Sequence, residues 1–287
     1  MTVSAPGKLV LLGDYAVLDG AMAMVGAVNR RAVGDVVEEV VDASPIVRAV
    51  LEEGGRDVRG SIKIDTSSFQ WNGKKLGIGS SAAVAVTTAA LVLDSGAEDV
   101  LQLAVSAHRA ANGGGSGIDV ASSYFGGVIA ADRQPGTVQP LPSRLPGLTL
   151  SVLFANQSAN TSEMVAKAQA SSKWSHWMNV LVPLAEQGID AWSRGEVRRF
   201  LSIVDRYGRA MGGLGRDAGT PIVTDEIDAA IRIASQHGGA AKPSGAGGGD
   251  VVVVFAEDPD VGARVAEETG MKLVDLEIDP RGLSRRG

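Results

Sequence analysis

Short hydrophobic runs interrupted by polar residues and glycine mark the first third of the chain, and this pattern predicts β-strands. Apolar stretches rich in Val, Leu and Ala are separated there by Gly, Asp or Asn, which is typical of short strands joined by turns. Between two of these stretches, residues 45–53 are typical of a short helix with Ser44 as its N-cap. The predicted strands cover residues 3–5, 9–12, 21–28, 33–41 and 61–65.

The middle of the chain changes to helical periodicity. Residues 80–93 are apolar on nearly all sides, which predicts a buried helix. Residues 98–112 place apolar side chains and His108 on one face of a second helix. A glycine-rich loop, a short helix over residues 117–124 and a strand over residues 127–131 are predicted to follow.

Residues 135–146 are rich in proline and form the most linker-like segment. We therefore predict two domains, over residues 1–146 and 147–287. The second half mixes helices and strands without strict alternation, which favours an α+β fold over a doubly wound parallel sheet. Its predicted helices cover residues 162–170, 173–192, 196–214, 224–237 and 259–269, and its strands cover residues 148–154, 250–255 and 272–278.

Composition and charge narrow the classes of function. The chain has 287 residues, of which 45% are hydrophobic and 21% charged, as expected of a globular protein with a real core. A net charge of −6 argues against nucleic acid as the main partner, because nucleic-acid binding needs a basic face. The absence of cysteine excludes disulfides and thiolate chemistry, and three histidines disfavour a multi-histidine metal site.

The N-terminal sequence lacks a basic start followed by an uninterrupted apolar run, and no segment reaches about 18 consecutive apolar residues. We therefore expect a cytoplasmic protein without a membrane partner. The 37 glycines are unusually many, and they cluster in a way that indicates functional loops.

The clearest candidate for chemistry is the segment 76–83, Leu-Gly-Ile-Gly-Ser-Ser-Ala-Ala, which leads into the predicted buried helix. Backbone N–H groups at a helix N-terminus are unpaired and carry partial positive charge. The glycines permit close approach of an anion, and the serines offer hydroxyls to phosphate oxygens or a magnesium ion. A dinucleotide fingerprint fits Gly77, Gly79 and Ala82 but lacks the preceding hydrophobic strand. A standard P-loop lysine is absent, and a simple glycine turn before a core helix is the other alternative.

Two further motifs lie near the ends of the chain. Residues 5–15, Ala-Pro-Gly-Lys-Leu-Val-Leu-Leu-Gly-Asp-Tyr, place Lys8 at the start of an apolar strand. Residues 242–250, Lys-Pro-Ser-Gly-Ala-Gly-Gly-Gly-Asp, precede the apolar strand at 250–255. Taken singly, these are a solvated lysine and a flexible loop, but consecutive small residues before a buried strand indicate close backbone approach to a ligand.

In this order and spacing, the three motifs resemble those of the GHMP kinase family, which includes galactokinase, homoserine kinase, mevalonate kinase and phosphomevalonate kinase. The resemblance covers nearly the whole chain. It implies an N-terminal domain like ribosomal protein S5 domain 2 and a ferredoxin-like C-terminal domain. It also implies ATP-dependent phosphoryl transfer to a small molecule, with ATP and Mg²⁺ as cofactors and a monomer or homodimer as the assembly.

Within the family, residues 107–121 are most similar to those of phosphomevalonate kinases. Mevalonate kinases typically have a magnesium-binding glutamate at the position of His108. The similarity implies a small anionic acceptor, phosphomevalonate or mevalonate, in the mevalonate pathway. Another GHMP kinase, a diphosphomevalonate decarboxylase and a non-catalytic relative are the alternatives. The chain departs from the family pattern at Asp14, where Glu is more usual, at Asn112, where Gln is, and over residues 156–162.

The resemblance assigns roles to residues at matching positions. Lys8 and Asp119 would be catalytic: Lys8 would lie between donor and acceptor and offset developing negative charge, and Asp119 would be within reach of the acceptor and could take its proton. A carboxylate that stabilises its helix N-terminus is the alternative for Asp119. ATP binding is assigned to Lys75, Gly77, Ile78, Gly79, Ser80, Ser81 and Ala82, with Ser81 also a magnesium ligand. Substrate binding is assigned to Asp14, Tyr15, His108, Ser116, Gly117, Arg209, Lys242, Ser244, Gly245, Ala246 and Gly247.

Overall fold

The computed structural model describes residues 2–55, 60–93, 97–134, 137–155 and 160–286. Two segments discussed above lie partly outside these ranges. They are residues 156–159 of the segment 156–162, which departs from the family pattern, and Pro135 and Gly136 of the predicted linker. In the described residues the strands are β1 (Thr2–Leu12), β2 (Ala23–Val37), β3 (Ser61–Asp65), β4 (Gln70–Trp71), β5 (Lys74–Lys75), β6 (Val128–Ala131), β7 (Val138–Leu141), β8 (Thr149–Phe154), β9 (Ala240–Pro243), β10 (Val251–Ala256), β11 (Lys272–Val274) and β12 (Ser284–Arg286).

The helices account for most of the remaining regular structure. The α-helices are α1 (Pro45–Gly54), α2 (Ser80–Val92), α3 (Ala97–Asn112), α4 (Ile118–Phe125), α5 (Thr161–Ala170), α6 (Trp174–Ser193), α7 (Val197–Ala218), α8 (Asp225–Gln236) and α9 (Val261–Thr269). Short 3₁₀ helices lie at Ala16–Asp19 and Ser67–Phe69. Along the chain parts that the structure describes, no helix combines the length and the apolar character that a membrane span requires.

The chain forms two compact units that are discontinuous in sequence. The first comprises Met1–Leu9, Val25–Pro140 and Glu277–Gly287, and the second comprises Val10–Met24 and Leu141–Leu276. The chain passes from the first unit to the second after Pro140, close to the predicted boundary after residue 146. No single boundary separates the units, however, because the second contains an early segment and the first contains the last one.

The first unit combines a sheet with the helices α1 to α4. The sheet has the order β12-β1-β2-β6-β7, with β3 paired to β2. Helix α2 is made of small apolar residues and is buried on nearly all sides, as predicted. Close packing against the sheet requires Gly34 in β2, since a Cβ there would lie 2.8 Å from Thr87 Cγ2 of α2. Helix α1 begins as predicted, with Ser44 Oγ accepting from the Val47 N–H.

Four strands of this sheet differ from the prediction. Strand β2 is continuous over Ala23–Val37, where two separate strands, over residues 21–28 and 33–41, were expected. Strand β1 is continuous through Pro6 and Gly7, where two separate strands were expected. Strand β7 lies in the segment interpreted as a linker, and β12 was not predicted. Both are short and largely exposed, so they carry little apolar periodicity; β12 exists through antiparallel pairing with β1, in which Thr2 lies opposite Arg286.

The second unit contains an antiparallel sheet of the order β11-β8-β10-β9. Helices α8 and α9 pack against this sheet through a core that includes Ile227, Ile231 and Val261. Strand β9 was predicted as part of a loop, and it forms because Ala241 and Lys242 pair with β10. Separate helix and strand segments in both units confirm the predicted α+β class.

Candidate active site

The glycine-serine loop is built from two buried side chains and two left-handed glycines. Leu76 and Ile78 are buried, while Gly77 and Gly79 have φ values of +71° and +78°, which favour glycine. Gly79 is the N-cap of α2 and has no side chain with which to cap the helix. The N–H groups of the first turn, at the positive end of the helix dipole, therefore fit an anion such as a phosphate.

Lys8 packs directly on this loop. Its backbone N–H donates to the Ile78 carbonyl at 2.8 Å. A Cβ added to Gly79 would lie 2.7 Å from Lys8 Cγ, so Gly79 is needed both for its backbone conformation and for the space that the lysine stem occupies. Gly7 is equally restricted, since a Cβ there would lie 2.6 Å from the Ile78 carbonyl oxygen. The Lys8 motif and the loop thus form one packed arrangement.

A chain of three polar side chains begins at Ser81, in the first turn of α2. Ser81 Oγ lies 3.1 Å from His108 Nε2. The same nitrogen lies 3.7 Å from Asp119 Oδ2. His108 is buried on α3, whereas the Asp119 side chain is 24% exposed on α4. The structure therefore brings a predicted ATP ligand and two predicted acceptor-side residues into one cluster.

The loop before α4 is held by Arg109. The Arg109 guanidinium donates from Nη2 to the Ser116 carbonyl at 3.0 Å. Gly117, at φ +82°, is the N-cap of α4, and a Cβ there would lie 3.2 Å from the same Nη2. Asp119 follows in the first turn of that helix. Arg109 therefore holds the loop that leads into the helix carrying Asp119.

In the second unit, Asp14 and Lys242 form a buried ion pair. Lys242 Nζ lies 2.6 Å from Asp14 Oδ2, and both side chains are at most 1% exposed. Lys242 Nζ also donates to the Val10 carbonyl at 3.2 Å. Burial raises the pKa of Asp14, although the adjacent Lys242 ammonium works in the opposite direction. The ammonium of Lys242 is thus bound by the protein itself, and a direct contact with substrate remains a prediction.

The ion pair is connected to the small-residue loop that follows β9. Asp14 Oδ1 accepts from the Gly245 N–H at 2.6 Å. Ser244 Oγ accepts from the Val10 N–H at 2.9 Å, and the Tyr15 hydroxyl donates to the Ala246 carbonyl at 2.7 Å. Val10, Asp14 and Tyr15 therefore hold the loop in a defined conformation, whereas the alternative from the sequence was a flexible hairpin.

Two contacts that support Asp14 and the loop after β9 were not apparent from the sequence. Tyr207, on the buried face of α7, donates from its hydroxyl to the Asp14 carbonyl at 2.6 Å. Gly247, at φ +83°, lies against Ile222, where a Cβ would lie 2.0 Å from the carbonyl oxygen. Tyr207 has the spacing of an ordinary core residue, so no local signal could have identified it.

Two predicted site residues make contacts outside these clusters. Arg209 is exposed on α7 and donates from Nε and Nη2 to the Asp205 carboxylate, at 2.9 and 3.0 Å. Lys75 is exposed in β5, opposite Gln70 of β4. The remaining ATP-loop residues, Ser80 and Ala82, lie with Ser81 in the first turn of α2. Each unit therefore contains its own cluster of predicted residues.

Comparisons with known proteins are consistent with this geometry. The sequence model of the GHMP kinases N terminal domain matches residues 43–127, and that of the GHMP kinases C terminal domain matches residues 203–269. A phosphomevalonate kinase of Streptomyces sp. (strain CL190) is 28% identical, over 88% of this chain and 89% of that protein. A mevalonate kinase of Aeropyrum pernix is 27% identical, over 88% of each chain.

A solved structure shares the fold. The phosphomevalonate kinase of Streptococcus pneumoniae, in complex with phosphomevalonate and AMPPNP, superposes with a TM-score of 0.81. Its sequence is 20% identical, and the match covers 97% of this chain and 99% of that one.

Proposed function

This chain belongs to the GHMP kinase family, and we propose that it transfers the γ-phosphoryl group of ATP to phosphomevalonate, giving diphosphomevalonate and ADP. Relatives named phosphomevalonate kinase support this acceptor, and they align with most of the chain. The observation that carries the proposal is His108, which contacts Ser81 and Asp119 where mevalonate kinases typically have a magnesium-binding glutamate.

In the proposed reaction, the glycine-serine loop binds ATP, which is the phosphoryl donor. The uncapped N–H groups at the start of α2 bind the nucleotide phosphates, and Gly77 and Gly79 let the backbone approach them. Phosphoryl transfer depends mainly on positioning and on neutralising charge. Bound Mg²⁺ would supply part of that neutralisation, and the Ser81 hydroxyl is the side chain of this turn that suits it as a ligand.

Lys8 and Asp119 serve the transfer itself. The Lys8 stem is fixed against Gly79, so its ammonium is available to offset negative charge that develops during transfer. A phosphomonoester is largely dianionic at neutral pH, because its second pKa is near 6. Such a nucleophile needs little help from a base, whereas an alcohol such as mevalonate requires proton removal. Asp119 is therefore not required as a strong base in the proposed reaction.

The contacts of the second unit suggest how the small-residue loop contributes. Asp14 Oδ1 accepts from the Gly245 N–H, and Gly245, Gly247, Gly248 and Gly249 have positive φ values, which allow close approach of the loop backbone to a ligand. We propose that this loop contacts substrate through its backbone. Lys242 would stabilise the loop through its ion pair with Asp14. A cytoplasmic location and a monomeric or homodimeric state remain predictions.

Mevalonate is the second candidate acceptor, because relatives named mevalonate kinase are also 27% and 28% identical to the chain. A diphosphomevalonate decarboxylase is disfavoured because Lys8 and the motif around His108 fit the kinases better. A non-catalytic relative is disfavoured because Lys8, Ser81 and Asp119 are all present.

Parallel assays of ADP release distinguish these functions. ATP is supplied with mevalonate, phosphomevalonate, diphosphomevalonate or homoserine, and CO₂ release is followed for diphosphomevalonate. We expect kcat/KM for phosphomevalonate to exceed that for mevalonate by on the order of 100-fold or more, since a site built for a charged group rejects an analogue that lacks it. A higher kcat/KM for mevalonate, or CO₂ release, would refute the proposed acceptor.

A further inference from the structure

His108 lies between Ser81 and Asp119, the side chains that the proposed function assigns to the nucleotide and to the acceptor. We propose that His108 is a positioning residue, whose Nε2–H is oriented by Asp119 and donates a hydrogen bond to Ser81 Oγ. This inference rests on the proposed phosphoryl transfer. It adds a defined tautomer for His108 and a role for Asp119 other than that of a base.

The surroundings of the two ring nitrogens of His108 favour one tautomer. His108 Nε2 lies 3.1 Å from Ser81 Oγ and 3.7 Å from Asp119 Oδ2, and an ionised carboxylate can only accept. A proton on Nε2 is therefore favoured. Nδ1 is buried and has no hydrogen-bond partner among the described residues, so a proton on Nδ1 would be an unsatisfied buried donor. Both observations select the Nε2–H form.

Each residue of this contact has a further hydrogen bond within or next to its own helix. Asn112 Nδ2 donates to the His108 carbonyl at 2.7 Å, near the end of α3. Asp119 Oδ1 accepts from the Val120 N–H at 2.9 Å, which leaves Oδ2 as the oxygen nearest to the histidine ring. The ring and the carboxylate are therefore carried by separate helices, α3 and α4.

The selected tautomer determines what the Ser81 hydroxyl does. When Oγ accepts from His108, its own proton is free to be donated to a phosphate oxygen, and a lone pair remains for a cation. With the proton on Nδ1, Ser81 would instead donate to Nε2, and that proton would be lost to the nucleotide. The Nε2–H form thus sets the polarity of a residue in the phosphate-binding turn.

The tautomer can be measured without any assay of activity. The chain has three histidines, so their imidazole ¹⁵N signals can be assigned by single substitutions and read in long-range ¹H–¹⁵N spectra. We expect the Nε2–H pattern for His108, and its loss of preference in Asp119→Ala. An Nδ1–H pattern in the unsubstituted protein would overturn the inference.

Kinetics test whether the contact matters for transfer. We expect His108→Leu to lower kcat by about 10- to 100-fold, with a smaller change in the KM for acceptor, and His108→Gln to recover most of this loss, because a glutamine amide can donate from the Nε2 position. Equal losses in both variants, following their thermal stability, would mean that the residue only fills space. His237→Gln is the matched control, since His237 Nε2 forms a comparable contact with Glu268 Oε1 at 3.3 Å, and we expect unchanged kinetics.

These results separate the inference from the choice of acceptor. If the protein uses an acceptor other than phosphomevalonate, the proposed function fails, and the same variants are compared with the acceptor that is used. If no acceptor is turned over, the NMR pattern alone decides the inference.

Discussion

At the scale of single residues, Lys8 and Asp119 distinguish a phosphate acceptor from an alcohol acceptor. With phosphomevalonate, we expect Lys8→Met to lower kcat by about 10²- to 10³-fold, since it removes a charge aimed at the transferred group. Asp119→Asn should lower kcat by only about 10-fold, because the dianionic nucleophile needs no strong base. The kcat of each variant is measured from steady-state ADP release. Losses of many thousand-fold in both variants would count against a phosphate acceptor.

The glycine at position 79 gives a second prediction at this scale. Gly79→Ala places a methyl group 2.7 Å from Lys8 Cγ in a residue at φ +78°, whereas Gly73→Ala has a similar φ of +76° and open space around it. We expect Gly73→Ala to cost about 1 kcal/mol in the free energy of unfolding through backbone strain, and Gly79→Ala to cost more, because its methyl group also meets the Lys8 stem. Urea titration measures both costs. A higher KM for ATP is expected in Gly79→Ala alone. A similar rise in Gly73→Ala would mean that backbone strain, and not the packing of Lys8, is responsible.

At the scale of elements, the Asp14–Lys242 pair joins the segment after β1 to strand β9 and the loop that follows it. Asp14→Asn leaves a buried ammonium without its counter-charge, so we expect a loss of about 3–5 kcal/mol in the free energy of unfolding. Adding Lys242→Met should recover part of this loss, because no buried charge remains. Chemical denaturation measures the free energy of unfolding of the unsubstituted protein, of Asp14→Asn and of the double variant.

A surface ion pair supplies the control for that experiment. Arg209 and Asp205 lie one turn apart on α7, and the arginine side chain is 55% exposed. Asp205→Asn should change the free energy of unfolding by less than about 1 kcal/mol. If Asp14→Asn were equally mild, the buried pair would not be a determinant of the loop conformation.

Elements could be predicted from the sequence wherever a local signal determines them. The N-cap Ser44 and the apolar run of α2 were sufficient, since capping and burial act within a few residues. Strand β12 and strand β9 were missed because pairing with β1 or β10, distant in sequence, creates them. The same limit applies to the site: the three motifs are visible in the sequence, but the Asp14–Lys242 pair joins residues that are far apart along the chain.

At the scale of the whole molecule, the three tyrosines link alkaline pH to unfolding. Burial raises the pKa of Tyr15 and that of Tyr207 far above the ordinary 10.0, and the Asp14 charge adds to both shifts. Burial also raises the pKa of Tyr124, which is only partly buried. A group whose pKa is raised on folding keeps its full contribution to stability below the unfolded pKa and loses it as the pH rises through the folded pKa.

We therefore expect little phenolate absorbance in the folded protein at pH 10, with Tyr124 ionising first and the other two only as the chain unfolds. A titration in concentrated urea should show all three tyrosines near their ordinary pKa, because the shifts come from burial. Tyr124→Phe should leave the pH of alkaline unfolding nearly unchanged, since the two tyrosines with the larger shifts remain. Ultraviolet absorbance and circular dichroism, recorded on the same samples, test the linkage. Phenolate formation by Tyr207 while the circular dichroism is still native would show that its hydroxyl is not buried against Asp14 as the structure describes.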